Sequence, residues 1–161
     1  MMRAWWRVVA GVALLVVTGC APGHPGHPAA PRVSGPPEPR TAAALLAIAA
    51  AFNRAYDRGD YGPVYDRWDA RSRAIISRAG YLRRHRDCPS APHAAARTES
   101  ARPGPRGAWR VDYEIGGQQL TDYWFYVHHR WVFDLVLSNP DAVRLYRMSP
   151  AAYAAAAGCR H

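Results

Sequence analysis

Asp122 has the strongest case for acid–base chemistry in this chain. If Gly116-Gly117 is a two-residue hairpin turn, Asp122 lies opposite Val111 on an otherwise apolar sheet face. Burial raises the pKa of a carboxyl group, so Asp122 is a candidate general acid or base. The alternative is a structural carboxylate that hydrogen-bonds to an arginine or tyrosine from a helix, and the sequence leads us to favour it.

The histidines of the chain do not form a metal-site motif. A structural zinc site needs four ligands, and each group of histidines supplies at most two, with Cys88 beside one group. These groups are His24 and His27, His85 and His93, and the adjacent pair His128 and His129. The chain also lacks a Gly-x-Ser-x-Gly motif and a phosphate loop. We therefore expect no metal and no cofactor.

Arginine supplies all of the basic side chains that raise the formal net charge to +9, and lysine is absent. A basic stretch occupies residues 71–86 and contains Arg71, Arg73, Arg78, Arg83, Arg84 and Arg86. Such a stretch can bind anionic head groups or polymers, or it can be a solvated helix surface whose arginines pair locally. We favour the solvated surface.

The second half of the chain alternates apolar and polar residues and predicts an antiparallel meander of four strands. The predicted strands are residues 94–102, 109–115, 118–127 and 130–137, with turns at Gly116-Gly117 and His128-His129. One face is apolar apart from Asp122 and consists of Trp109, Val111, Tyr113, Leu120, Asp122, Trp124, Tyr126, Trp131, Phe133, Leu135 and Leu137. The opposite face, which includes Asp112 and Asp134, is mixed and mostly solvated, as an α+β layer requires.

The first half predicts helices that cover this apolar face. Leu45, Ile48, Phe52 and Tyr56 recur at helical spacing after a possible cap at Thr41. Further helix starts are expected at Asp60, Asp69 and Ser77, before Pro89 and Pro92 stop the helical run. Short C-terminal helices are expected after Asn139 and Ser149.

The amino terminus resembles a lipoprotein signal peptide. Arg3 and Arg7 precede a short apolar segment, residues 8–17, and residues 15–20 read LVVTGC, which resembles the lipobox of bacterial lipoproteins. The apolar run is well short of the ~20 residues that a spanning helix needs. The alternative is an ordinary signal peptide followed by a chance cysteine.

The resemblance implies that residues 1–19 are removed and that Cys20 carries acyl chains such as palmitate. Two acyl chains suffice for stable anchoring. Residues 20–40, rich in proline and glycine, would be a tether. The expected location is the exterior face of the bacterial cell membrane, where the membrane is a partner and nucleic acid is not.

If Cys20 is lipidated, Cys88 and Cys159 are the remaining thiols in an oxidising compartment. The lipoprotein resemblance therefore implies a Cys88–Cys159 disulfide. Closing a loop of about 70 residues would contribute roughly 4 kcal/mol in the chain-entropy model.

A second resemblance concerns residues 41–146, which are similar to the nuclear transport factor two-like superfamily of cone-shaped α+β domains. It rests on a first helix ending in YDRGDY at residues 56–61, a Gly-Asp turn, and a final strand beginning WVFD at residue 131. The 142 residues that would remain after removal of residues 1–19 predict one domain, which we place at residues 41–161, in addition to the tether. The superfamily includes ketosteroid isomerases, dehydratases and polyketide cyclases, whose chemistry lies inside the cone, and fold alone does not choose among functions.

From the sequence we expect a non-enzymatic exterior domain that binds a small apolar ligand or an envelope protein. The alternative is an isomerase- or dehydratase-type enzyme that uses Asp122 as its acid or base. An open pocket with Asp122 and a second polar group would favour the enzyme, whereas a filled aromatic core would favour the binding or structural role.

Overall fold

The computed structural model describes residues 36–89 and 94–159, which form an α+β domain, as predicted. Helices come first, then a four-stranded antiparallel sheet, then short helices. The helices are α1 (Ala42–Asp57), α2 (Tyr61–Asp66), α3 (Ala70–Arg73), α4 (Arg78–Asp87), α5 (Leu135–Ser138), α6 (Pro140–Tyr146) and α7 (Pro150–Ala156). The strands are β1 (Arg97–Pro103), β2 (Trp109–Ile115), β3 (Gln118–Val127) and β4 (Arg130–Phe133).

The strand order is β1-β2-β3-β4, and the two predicted hairpin turns set its register. Gly116 and Gly117 have φ values of 57° and 84°, and His128 and His129 have φ values of 47° and 61°. Positive φ at both central residues is the requirement of a type I′ hairpin turn. Val111 consequently pairs with Asp122, as the sequence predicts.

The predicted extension of the last strand to Leu137 is wrong. β4 ends at Phe133, and Leu135 starts helix α5 instead of pairing with Asp122. The Asp134 carboxylate caps this helix by accepting a hydrogen bond from the Leu137 amide at 2.9 Å. Asp134 was expected on the solvated face but is 1% exposed, because β4 ends before it and it caps α5, and Arg71 pairs with it at 2.5 Å.

Most of the predicted helices have a side-chain hydrogen bond that caps the N-terminus. Thr41 accepts a hydrogen bond from the Ala44 amide, and Ser77 accepts one from the Gly80 amide. Asp69 caps α3, although Ile75 and Ile76 lie beyond its end. The apolar face of α1 packs on the sheet, with Leu45 and Ala49 fully buried.

Aromatic side chains fill the core at the β4 end of the sheet. Trp124 and Trp131 are both 0% exposed. Trp124 pairs with Trp109 on one side and Phe133 on the other, as predicted. Its ring also contacts Phe52 of α1 edge to face, at 5.2 Å between centroids.

Glu38 joins the segment before α1 to the sheet. Its carboxylate accepts hydrogen bonds from Arg67 at 2.7 Å and from the Trp131 amide at 2.8 Å, and it pairs with Arg130 at 3.1 Å. The Trp131 indole donates to the carbonyl of Pro39 at 3.0 Å. Glu38 and Pro39 are therefore hydrogen-bonded to the domain, although they lie inside the segment 20–40 that the sequence assigns to the tether.

Candidate functional site

A cavity of about 490 Å³ lies between the helices and the sheet, on the face that carries Asp122. This volume is within the range of small-molecule sites, about 300–1,000 Å³. Residues of α1, β2, β3 and α6 supply most of its wall. Seven aromatic side chains of the described residues line it: Phe52, Tyr56, Trp68, Tyr81, Tyr113, Phe133 and Tyr146.

Asp122 lies in the wall of this cavity. Its position in β3, two residues before Trp124, places it on the core face, and it is 6% exposed. Among the described residues its hydrogen-bond partner is the Tyr113 hydroxyl, which donates to Oδ1 at 3.4 Å. The structural alternative required a partner from a helix, but Tyr113 comes from the neighbouring strand β2.

The pKa of Asp122 is raised to about 7. Burial is the larger cause, since the carboxylate loses its hydration, and the hydrogen bond from Tyr113 lowers the pKa by a smaller amount. A carboxyl group with this pKa exists in both protonation states near neutral pH. It can therefore donate or accept a proton in the cavity.

The other polar groups at the cavity are neutral or acidic. Asn53 of α1 lines the wall and is 8% exposed. Asp57 and Asp141 lie at its exposed rim, where Asp141 pairs with Arg144 at 3.5 Å. Within residues 36–89 and 94–159, neither an arginine nor a histidine lines this cavity.

His85 packs against the aromatic side chains of the cavity wall on the side away from the cavity, and this contact was not predicted from the sequence. Its Nε2 is 2.8 Å from the Tyr146 hydroxyl, and its ring stacks on Tyr61 with centroids 4.0 Å apart. Burial lowers the pKa of His85 to about 4, so the ring is neutral at physiological pH. The spacing of Tyr81 and His85, four residues apart on α4, was the available signal for a shared buried face.

Cys88 and Cys159 lie at disulfide distance, with Cα atoms 5.4 Å apart. The pair connects the end of α4 to the segment after α7. A second cavity, of about 510 Å³, lies between these helices and is separate from Asp122. Arg84 lines it and places its guanidinium over the Tyr153 ring, 4.8 Å from the centroid.

The remaining candidates from the sequence are dispersed. His128 and His129 occupy an exposed turn, as expected. Cys20, His24, His27 and His93 lie outside the described residues, as does the signal peptide, residues 1–19. No group of three potential metal ligands occurs in the described part of the chain.

The basic stretch makes ion pairs within the domain. Arg71 pairs with Asp134, and Arg78 pairs with Asp66 at 2.8 Å. Arg86 pairs with its neighbour Asp87 at 3.1 Å. These contacts favour the solvated, locally paired surface over a polyanion-binding face.

Comparisons with known proteins identify no match to the chain among family models, curated proteins or solved structures. Among the described helices, none combines the length and apolarity needed to cross a membrane.

Proposed function

We propose that this chain is a lipid-anchored protein of the bacterial cell exterior whose domain binds a small, mostly apolar molecule. The observation that carries the binding proposal is the cavity of about 490 Å³, lined by aromatic rings and by one buried carboxyl group. Small-molecule sites typically combine such an apolar wall with a few placed polar groups.

Binding can be tested with N-phenyl-1-naphthylamine, an uncharged apolar fluorophore. We expect its fluorescence to rise on binding, with a dissociation constant in the micromolar range. Ala142→Trp places a large ring in the cavity wall and should weaken binding at least tenfold. Ala152→Trp, at an exposed position of α7, is the matched control and should bind as the wild type does.

Two results would reject the binding proposal. One is the absence of any fluorescence increase with a folded wild-type domain. The other is equal binding by the Ala142→Trp and Ala152→Trp variants, because the probe would then lie outside the cavity.

The anchor is supported by the LVVTGC sequence at residues 15–20. Cells fed an alkyne analogue of palmitate should label the wild-type protein and should not label Cys20→Ala. Cys159→Ala removes a different thiol and should keep the label. Labelled, cleaved Cys20→Ala protein in the membrane fraction would overturn the lipoprotein proposal.

A second candidate function is proton transfer by Asp122, and the specific observation in its favour is the Asp122–Tyr113 pair inside an open cavity. The Asp122 carboxylate would take a proton from the carbon next to a ligand carbonyl and become a carboxylic acid, and the Tyr113 hydroxyl would give up its hydrogen bond to Oδ1 and donate it to the developing enolate oxygen. The protonated Asp122 would then return the proton to the ligand. This is the isomerase- or dehydratase-type alternative that the sequence leaves open.

The enolisable ketone 2-tetralone in deuterium oxide tests this alternative. Proton magnetic resonance should show α-hydrogen exchange above the buffer rate with the wild type. Asp122→Asn should reduce exchange to the buffer rate. Exchange by Asp122→Asn at the wild-type rate would exclude Asp122 as the base.

A further inference from the structure

The charged side chains that line the main cavity are acidic, whereas most charged side chains of the chain are basic. The protein has 21 basic and 12 acidic side chains. Yet the charged side chains that line this cavity, among the described residues, are the carboxylates of Asp57, Asp122 and Asp141. Charge complementarity therefore disfavours an anionic ligand at this site.

Asp122 carries the argument because it is the buried member of the three. Asp122 is only 6% exposed, yet it lines the cavity. Its described partner is a neutral hydroxyl at 3.4 Å, and no arginine contributes to its ionisation. An ionised carboxylate at this depth lacks a cation, and a ligand can supply one.

The aromatic wall suits the same kind of ligand. Trp68, Tyr56 and Phe52 line the cavity together with Asp122. The faces of aromatic rings attract ammonium groups, and such rings with a carboxylate are a recurrent way of binding amines.

We propose that the cavity selects an organic cation, a molecule with an apolar body and a protonated amine or quaternary ammonium group that pairs with Asp122. This inference rests on the proposed binding function and specifies its ligand class. The apolar body would occupy the aromatic part of the cavity, and the ammonium group would lie at the Asp122 carboxylate.

Three probes with the same phenylbutyl body test the charge preference: 4-phenylbutylamine, 4-phenyl-1-butanol and 4-phenylbutanoate. Their dissociation constants are measured at pH 8 by displacement of N-phenyl-1-naphthylamine. The amine should bind at least tenfold more tightly than the alcohol, and the carboxylate should bind more weakly than both.

Asp122→Asn should bring the amine down to the affinity of the alcohol without changing the affinity of the alcohol. The matched control is Asp66→Asn, which removes an exposed carboxylate of α2 outside the cavity. It should keep the full preference for the amine. If Asp122→Asn does not fold, Tyr113→Phe with the pH series below replaces it.

The preference should also depend on pH. Between pH 6 and pH 8 Asp122 changes from mostly protonated to mostly ionised, so amine affinity should rise about tenfold, while alcohol affinity stays level. Tyr113→Phe removes the hydrogen bond that lowers the pKa of Asp122 and should move this rise to higher pH. The titratable side chains that face Asp122 or pack on its cavity wall are Tyr56, Asp57, Tyr81, His85, Tyr113, Asp141 and Tyr146. Burial keeps the pKa of Tyr81, Tyr113 and Tyr146 raised and that of His85 lowered, so these groups do not titrate in this interval.

Each outcome separates the two proposals. If the fluorophore does not bind the folded wild-type protein, the binding function itself fails. If the fluorophore binds but the amine does not displace it, the cation proposal is overturned while ligand binding stands. If the alcohol or the carboxylate binds as tightly as the amine, or if Asp122→Asn keeps the preference, the cation proposal is overturned while ligand binding stands.

Discussion

Asp112 and Asp122 lie on neighbouring strands of the same sheet but on opposite faces. Both are nearly buried, at 9% and 6% exposure. Asp112 receives hydrogen bonds from Arg110 at 2.5 Å, Thr121 at 2.8 Å and Ser100 at 3.0 Å. Asp122 receives one described hydrogen bond, from Tyr113 at 3.4 Å.

The pKa values of the two carboxyl groups move in opposite directions. Burial acts to raise the pKa of Asp112, but the hydrogen bonds from Arg110, Thr121 and Ser100 outweigh it and lower the pKa overall. Burial dominates at Asp122 and raises its pKa to about 7. The comparison teaches that low exposure alone does not decide the charge of a carboxyl group: the charged Arg110 and two hydroxyl donors outweigh burial at Asp112, whereas the single hydroxyl donor at Asp122 does not.

The contrast between Asp112 and Asp122 depends on the strand register, since a slip of one residue would exchange the two faces of the sheet. Trp124 tests this because it lies on the Asp122 face and is fully buried. Trp124→Ala should lower the free energy of unfolding by about 3–5 kcal/mol, as expected for a large cavity in a core. Urea denaturation measures the change. Val127→Ala, at a 42% exposed position of the same strand, is the control, and a loss below 1 kcal/mol at Trp124 would contradict the assigned faces.

Asp122→Asn should stabilise the domain at pH 8. The folded pKa of about 7 exceeds the ordinary value of 3.8, so the folded state holds its proton between these pH values while the unfolded state loses it. The wild-type free energy of unfolding therefore falls as pH rises from about 4 to 7, by up to about 4 kcal/mol. Because asparagine does not titrate, the variant should be more stable at pH 8, and this advantage should vanish by pH 4. Equal stability of the two proteins at both pH values would contradict the raised pKa.

Asp112→Asn should have the opposite effect. The lowered pKa of Asp112 stabilises the fold above pH 4, and this contribution is lost as pH falls through the folded pKa. At pH 7 the variant should lose about 1–3 kcal/mol, because Arg110 and Arg102 lose a charged partner. The difference should shrink in acid. A gain in stability at pH 7 would contradict the lowered pKa of Asp112 and therefore the difference between the two carboxyl groups.

The sheet register was predictable because short-range chemistry determines it. Gly116-Gly117 allows the positive φ angles of a tight hairpin, and once that turn is placed the pairing of Val111 with Asp122 follows. The same logic placed Tyr113 on the Asp122 face. Their hydrogen bond runs diagonally between strands, and pairing directly opposite residues did not reveal it.

Contacts between distant residues explain what the sequence did not reveal. Leu135 alternates with its neighbours like a strand residue, but its amide donates to the Ser72 hydroxyl at 2.9 Å, and Asp134 pairs with Arg71. His85 likewise finds its partner in Tyr146, 61 residues away. The cavity, too, is a gap between helices and sheet, and no local pattern in a sequence encodes a gap.

The Cys88–Cys159 link spans 71 positions, and all four strands lie between its two ends. A protease that cuts one peptide bond inside this loop therefore releases no fragment from an oxidised molecule. The two pieces would migrate as one band without reductant and as two bands with it. A single surface cleavage would therefore not be seen in a non-reducing gel. The two pieces, which together line the aromatic cavity, would stay covalently joined after the cut.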